Sequence, residues 1–275
     1  MAEIDSDVQL CVHALVELFR DPRANNISQF ASFCASITEK KLAALFQAQV
    51  DSAPRRSRRR AYFQAHDGRT TSGAATNREE DHLAIALWRT YRKVGFVLPN
   101  GLRIFPMDYQ LPLKAARDAA NKRIGKVDLF CLDQAGRPWI AELKVRSSRP
   151  GSCPDTPLKA LLQALAYCAV IDADGRALAA ELVAKGFLKL RGSLAPFRPN
   201  LLVLAPCDYW DYFSEKSAAG EWRAKIAGLR RSIESTFGIA AHFVSIRDCV
   251  FSMRGNGEAP ELVSTPSFEW SAVDC

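Results

Sequence analysis

Residues 125–145, GKVDLFCLDQAGRPWIAELKV, hold two apolar runs, 127–132 and 139–145, on either side of Asp133-Gln134-Ala135-Gly136. Two such runs around a short polar segment ending in glycine predict a β-hairpin, with Gly136 supplying the positive φ that the turn needs. If Asp133 pairs with Arg137 across a three-residue loop, counting back sets Asp128 opposite Glu142 and Lys126 opposite Lys144. Opposed residues share a face with Cβ atoms about 5 Å apart. The two-residue period keeps Glu142 and Lys144 on that face. A slip of one residue would send Asp128 to the other side.

Two carboxylates and an ammonium, each embedded in apolar sequence, then point the same way. Burying such groups is costly unless they are paired or bound to a metal. Opposed carboxylates also repel unless a cation lies between them. A hard divalent ion such as Mg²⁺ suits the position, because it takes oxygen ligands and keeps several waters. Lys144 can orient or deprotonate one of those waters, which is the chemistry of metal-assisted phosphodiester hydrolysis.

The pattern GKVD (125–128), then ELK (142–144), resembles the PD-(D/E)XK nuclease superfamily, the restriction-endonuclease-like fold. Val127 stands where the family's name has proline, and Asp128 keeps its place. QALAY (163–167) is similar to the QxxxY helix motif of the RecB-type branch, and the likeness spans residues 77–246. The resemblance implies an α/β fold: a restriction-endonuclease-like core with a mixed β-sheet flanked by helices. It implies that Asp128, Glu142 and the backbone carbonyl of Leu143 hold Mg²⁺, with Mn²⁺ able to substitute. Lys144 would serve the attacking water, while Gln163 arranges the metal site and Tyr167 supports it or touches substrate. Many members carry a glutamate on the first core helix that reaches the metal or its waters. Glu80 takes that part here, with Glu79 second; on residue chemistry alone, both acids simply complement a helix N-terminus.

The expected activity is Mg²⁺-dependent hydrolysis of phosphodiester bonds in DNA, with RNA open as a substrate and a homodimer open as the assembly. Two alternatives fit the same residues. One is a nucleic-acid-binding or assembly protein that keeps the fold without cutting. The other is an α/β domain whose acidic hairpin is only a structural ion pair.

Composition places limits around this reading. The 275 residues suffice for one large domain or two small ones. Apolar content of 48% and charged content of 24% are ordinary for a globular chain. No apolar run reaches the length of a membrane span, and MAEIDSDVQL lacks the pattern of a secretory signal. A cytoplasmic protein is expected. The eight cysteines show no CxxC spacing, and Cys131, Cys168, Cys207 and Cys249 read as small core residues. The formal charge is +7, of which Arg55, Arg56, Arg58, Arg59 and Arg60 contribute most. Basicity that is local in this way points to a nucleic-acid contact, joined by Lys126 beside the acids; a solvated linker fits the run equally.

Residues 1–54 read as a helical N-terminal region, with one amphipathic stretch over 28–50. Its Glu39-Lys40-Lys41 repeats the acid–lysine spacing, but on a helix i and i+2 face apart. Residues 55–76 read as a basic, flexible linker and 77–254 as the nuclease-like core. A helix is expected from Asn77 as N-cap, with Glu80 at the capping-box position. Pro106 and Pro112 predict an edge or irregular strand, and KAARDAANKR (114–123) a basic connection. A helix follows over 156–170, then a strand over 200–205 beside the hairpin. Residues 207–213 read as an aromatic loop, 221–237 as a basic amphipathic helix, and 242–246 as a last strand. Residues 255–275 show no period and are expected to be disordered.

Overall fold

The computed structural model describes residues 13–54, 61–63, 66–70, 78–113, 124–146, 154–188, 197–216, 221–271 and 273. Seven strands join in one sheet in chain order: β1 (Phe96–Val97), β2 (Arg103–Pro112), β3 (Lys126–Asp133), β4 (Pro138–Leu143), β5 (Asn200–Pro206), β6 (Ala241–Arg247) and β7 (Ser267–Trp270). The first four pair antiparallel, β4, β5 and β6 run parallel, and β7 returns antiparallel. Parallel neighbours need long crossovers. Helices α5 (Pro157–Ala173) and α6 (Gly175–Ala184) lead from β4 to β5, and α7 (Cys207–Lys216) and α8 (Glu221–Phe237) from β5 to β6.

The hairpin forms in the register that its turn dictates. Leu129 pairs with Ala141 and Leu132 with Pro138. The Asp133 N–H donates to the Arg137 carbonyl at 2.9 Å, and Gly136 takes a φ of 79°. The Asp133 carboxylate also accepts from the Ala135 and Arg137 N–H groups, at 2.8 and 2.9 Å, which pins the loop at three residues. Extending this register by one residue sets Asp128 against Glu142. Every residue of β4 is buried, as expected for a strand with a neighbour on each side and helices above and below.

The sheet is covered on both faces. Helix α4 (Glu79–Tyr91) packs on Leu129, Ala141 and Leu202 on one side, where α4 contributes Leu83, Leu87 and Trp88. On the other side Phe130, Ile140 and Val203 lie under Leu158, Leu161 and Leu165 of α5. Helices α1 (Ala14–Arg20), α2 (Phe30–Ala35) and α3 (Glu39–Asp51) join that second core through Leu15, Phe30, Leu42 and Phe46. The N-terminal helices thus share the apolar core that holds α5 in place. Among the described residues no helix is long and apolar enough to cross a membrane.

Several local expectations change. The stretch 28–50 is two helices, because Thr38 caps a new N-terminus by accepting from the Lys41 N–H at 3.2 Å. Helix α4 starts at Glu79 with Arg78 at its N-cap and no side-chain cap; Asn77 lies outside the described residues. Strand β2 is irregular as its prolines imply, with a bulge between Pro106 and Asp108. It is not the edge, although β1 covers only Arg103 and Ile104. Within 55–76, Tyr62 and Phe63 are buried, and their N–H groups donate to the Glu181 carboxylate at 2.7 and 2.8 Å. Residues 207–213 belong to helix α7 and are not a loop, with Tyr209, Trp210 and Phe213 packed inside. The stretch 255–275 contains β7, and Ser271 and Val273 are buried.

Candidate active site

The sheet opens beyond Leu129 and Ala141, where the ladder between β3 and β4 ends. Side chains take over from backbone there. The Leu143 N–H, which would continue the ladder, donates instead to Asp128 Oδ2 at 2.9 Å. Gln110 Nε2 donates to Asp128 Oδ1 at 3.1 Å from β2. A strand residue directs its N–H and C=O to the same side, so the Leu143 carbonyl faces Asp128 too. Gln110 holds a φ of 52°, a left-handed conformation uncommon for a residue with a side chain. That backbone turn delivers its amide to the acid.

Lys144 lies just past β4 and is buried. Its Nζ donates to Glu142 Oε1 at 2.8 Å, with Glu80 Oε1 at 3.5 Å and Asp155 Oδ2 at 3.9 Å. Glu142 is fully buried, and its second oxygen, Oε2, has no hydrogen-bond partner. An unpartnered ionised carboxylate oxygen in a low-dielectric interior is expensive unless it takes up a proton or a cation. Glu80 comes from the first turn of α4, on the other face of the sheet, and its side chain is 36% exposed. It forms the open side of the cluster.

The charges depart from ordinary values accordingly. Burial pushes the Asp128 carboxyl up to about 7, against the opposing pull of Lys144. Burial first, then Asp128, pushes Glu142 well above the usual carboxylate range. Burial also raises Glu80, again opposed by Lys144. For Lys144, burial alone would lower the pKa, but Glu142, Glu80, Asp128 and Asp155 together hold it well above its usual value. One ammonium cannot balance this many acids, so the cluster retains protons that ordinary carboxylates would release.

Helix α5 places the two remaining motif residues. Gln163 Nε2 donates to the Tyr167 hydroxyl at 3.1 Å. Tyr167 is buried, and its pKa is raised by burial and then by the Glu142 and Asp128 carboxylates. Its hydroxyl lies against Gly125, where a Cβ would stand 2.2 Å away. The bare glycine at the start of the hairpin is what allows that approach.

Asp128, Glu142, Leu143, Lys144 and Glu80 lie together at the end of the β3–β4 ladder, with Tyr167 and its partner Gln163 beside them on α5. Glu79 precedes Glu80 on α4 and is half-buried. Lys126 is exposed at the start of β3, paired with Pro112. Arg55, Arg56, Arg58, Arg59 and Arg60 lie outside the described residues, as does 114–123. His82 on α4 is buried with both ring nitrogens near backbone carbonyls, those of Arg78 and Arg254, at 3.0 and 3.1 Å. Glu39 and Lys41 are exposed on α3, away from this cluster.

Asp155 and Gln110 were not singled out from sequence. Asp155 reaches Lys144 and also accepts from Lys159 Nζ at 2.7 Å and Asn25 Nδ2 at 3.0 Å. Its backbone carbonyl accepts from the Tyr209 hydroxyl at 2.7 Å. Among the described residues, no group of three or more His, Cys, Asp or Glu side chains is gathered into a metal-holding cluster. A Mg²⁺ site asks for less, since that ion commonly uses one or two carboxylates and keeps its waters. Asp128, the free oxygen of Glu142 and the Leu143 carbonyl are oxygen donors of the kind such an ion would take. Comparisons with family models, with curated proteins and with solved structures find no match to this chain.

Proposed function

We propose that this protein is a metal-dependent nuclease with a restriction-endonuclease-like core of the PD-(D/E)XK type, hydrolysing phosphodiester bonds in DNA. The observation that carries the reading is the buried group Asp128, Glu142 and Lys144, with Glu142 Oε2 left without a partner. Asp128, Glu142 and the Leu143 carbonyl would hold Mg²⁺ or Mn²⁺. The bound cation would supply Lewis-acid polarisation of a phosphoryl oxygen and a more acidic water.

The chain's own residues divide the remaining work. Lys144, held protonated by the surrounding acids, serves as a fixed positive charge that stabilises the negative charge developing on phosphate. That assigns the lysine the part of a charge stabiliser and water-orienting donor, not of a proton acceptor. Glu80, on the exposed side and 3.5 Å from Lys144, is placed to accept a proton from the attacking water. Gln110 and the Leu143 N–H fix both oxygens of Asp128. Tyr167 and Gln163, bonded to each other, support the site from α5. A cytoplasmic setting and a homodimer for two-strand cutting belong to the same proposal.

A second reading, nucleic-acid binding without cutting, draws support from one feature. The Glu142 carboxylate is bonded directly to Lys144, so the lysine already answers part of the cluster's charge. A digest of linear, circular and branched DNA and of RNA, in Mg²⁺, Mn²⁺ or EDTA, separates the two. Cutting only with divalent metal supports the nuclease; binding in every lane with no cutting supports the second reading.

A further inference from the structure

Beside the acid cluster lies a groove of about 480 Å³ walled by Phe19, Arg20, Asn25, Lys159, Gln163 and Tyr167, with Gly125 at its base. Its two walls come from distant parts of the chain. Helix α1 and the 3-10 turn Pro22–Asn25 make one, and the first turns of α5 make the other. The walls are stitched together where they meet. Asn25 Nδ2 donates to Asp155 Oδ1 at 3.0 Å, the Thr156 N–H donates to Asn25 Oδ1 at 2.9 Å, and the Thr156 hydroxyl donates to the Ala24 carbonyl. Asp155 in turn reaches Lys144 at 3.9 Å, so it links the groove residues Asn25 and Lys159 to the acid cluster.

The lining has the chemistry of a nucleotide site. Its volume falls in the range of about 300–1,000 Å³ typical of small-ligand pockets. Two cations border it: Arg20, exposed at the rim, and Lys159, half-buried on α5. The acid at the rim, Asp21, is neutralised by Arg23 through contacts of 2.9 and 2.7 Å, and Lys159 is paired with Asp155 at 2.7 Å, so Arg20 alone leaves the rim net positive. Amide groups of Asn25 and Gln163 offer donors and acceptors, and Phe19 meets Tyr167 edge to face at 6.4 Å between ring centres.

We infer that this groove holds the nucleotide next to the scissile phosphate, with Arg20 on its backbone phosphate and the N-terminal helices serving as one wall of the substrate cleft. The inference rests on the nuclease reading for the position of the scissile bond. It assigns the N-terminal region a substrate-binding task in addition to its packing against α5.

The test uses a fluorescent 12-nucleotide single-stranded DNA, binding measured in EDTA across a salt series, and cleavage of the same strand measured in Mg²⁺. Arg20→Ala should weaken binding about threefold to tenfold and lower the slope of log affinity against log salt by about 0.7, the loss of one phosphate contact. Arg20→Glu should weaken it further, while Arg176→Ala on α6 should change neither quantity. Cleavage by Arg20→Ala should lose mainly in KM. Wild-type affinity and slope in both Arg20 variants would overturn the groove even if the protein cuts, and so would the absence of any binding by the wild type. Binding that depends on Arg20, in a protein that never cuts, would uphold the groove and overturn the nuclease reading.

Discussion

Lys144 Nζ lies 2.8 Å from Glu142 Oε1, and both side chains are buried at the open end of the β3–β4 ladder. Neighbours two apart at a strand end have thus become an ion pair with no solvent to soften it. The lysine also reaches Glu80 and Asp155, so it is the positive centre of the cluster.

Removing that centre should therefore cost stability as well as activity. Lys144 is buried among those acids, so no solvent replaces its charge. The acids left behind are worth a loss of about 3–5 kcal/mol near neutral pH. The loss should shrink toward pH 5, where the stranded carboxylates protonate. Urea denaturation at several pH values measures this; a loss that does not vary with pH would contradict it.

Asp128→Asn should behave in the opposite way. Burial raises the Asp128 carboxyl to about 7, whereas an unfolded chain titrates it near about 3.9. Between those values the folded chain keeps a proton that the unfolded chain has released, so the wild type loses stability as pH rises from about 4 through about 7. The asparagine has no charge to desolvate. It should be more stable than wild type at pH 8 by about 1–3 kcal/mol and nearly equal to it at pH 4. A variant less stable than wild type at pH 8 would count against this account of the carboxylate.

Metal affinity should follow the same titration. A cation must displace the protons that the cluster retains. Mn²⁺ binding followed by calorimetry should weaken as pH falls below about 7, by up to about tenfold per pH unit for each proton displaced. Heats measured in buffers of different ionisation enthalpy should reveal proton release. Affinity that is constant from pH 5 to 8 would exclude Asp128 and Glu142 as the ligands.

The approach of Tyr167 to Gly125 gives a packing test. A Cβ at residue 125 would stand 2.2 Å from the hydroxyl and 3.1 Å from Cζ. Gly125→Ala should cost about 1–3 kcal/mol, the usual range for overpacking. Tyr167→Phe removes the worse of the two clashes, so the double variant should recover part of the loss. A strictly additive pair in thermal denaturation would place the two residues out of contact.

What the sequence made legible was local. Asp133 and Gly136 set the loop, the loop set the register, and the register placed Asp128 against Glu142. The stretch 156–170 likewise reads as a helix, and α5 carries Gln163 and Tyr167 at a spacing of one helical turn. Parts governed by tertiary context were not legible. The rings of 207–213 resemble a surface loop until β5 and β6 supply the surface they pack on. Strand β7 is half-exposed along its length and shows no alternation, so nothing in 255–275 signals its pairing with β6. Asp155 has no motif around it, and its partner Asn25 is 130 residues away. Only the folded chain brings that pair to Lys144.

A time course of cleavage on end-labelled linear duplex DNA, with purified wild type and Asp128→Asn side by side in Mg²⁺, carries the most weight. The account predicts cutting by the wild type that EDTA abolishes, and a rate at least about 100-fold lower in the variant, whose thermal denaturation shows an intact fold. Equal cutting by the two proteins, or no cutting by the wild type with any divalent metal on DNA or RNA, would contradict it.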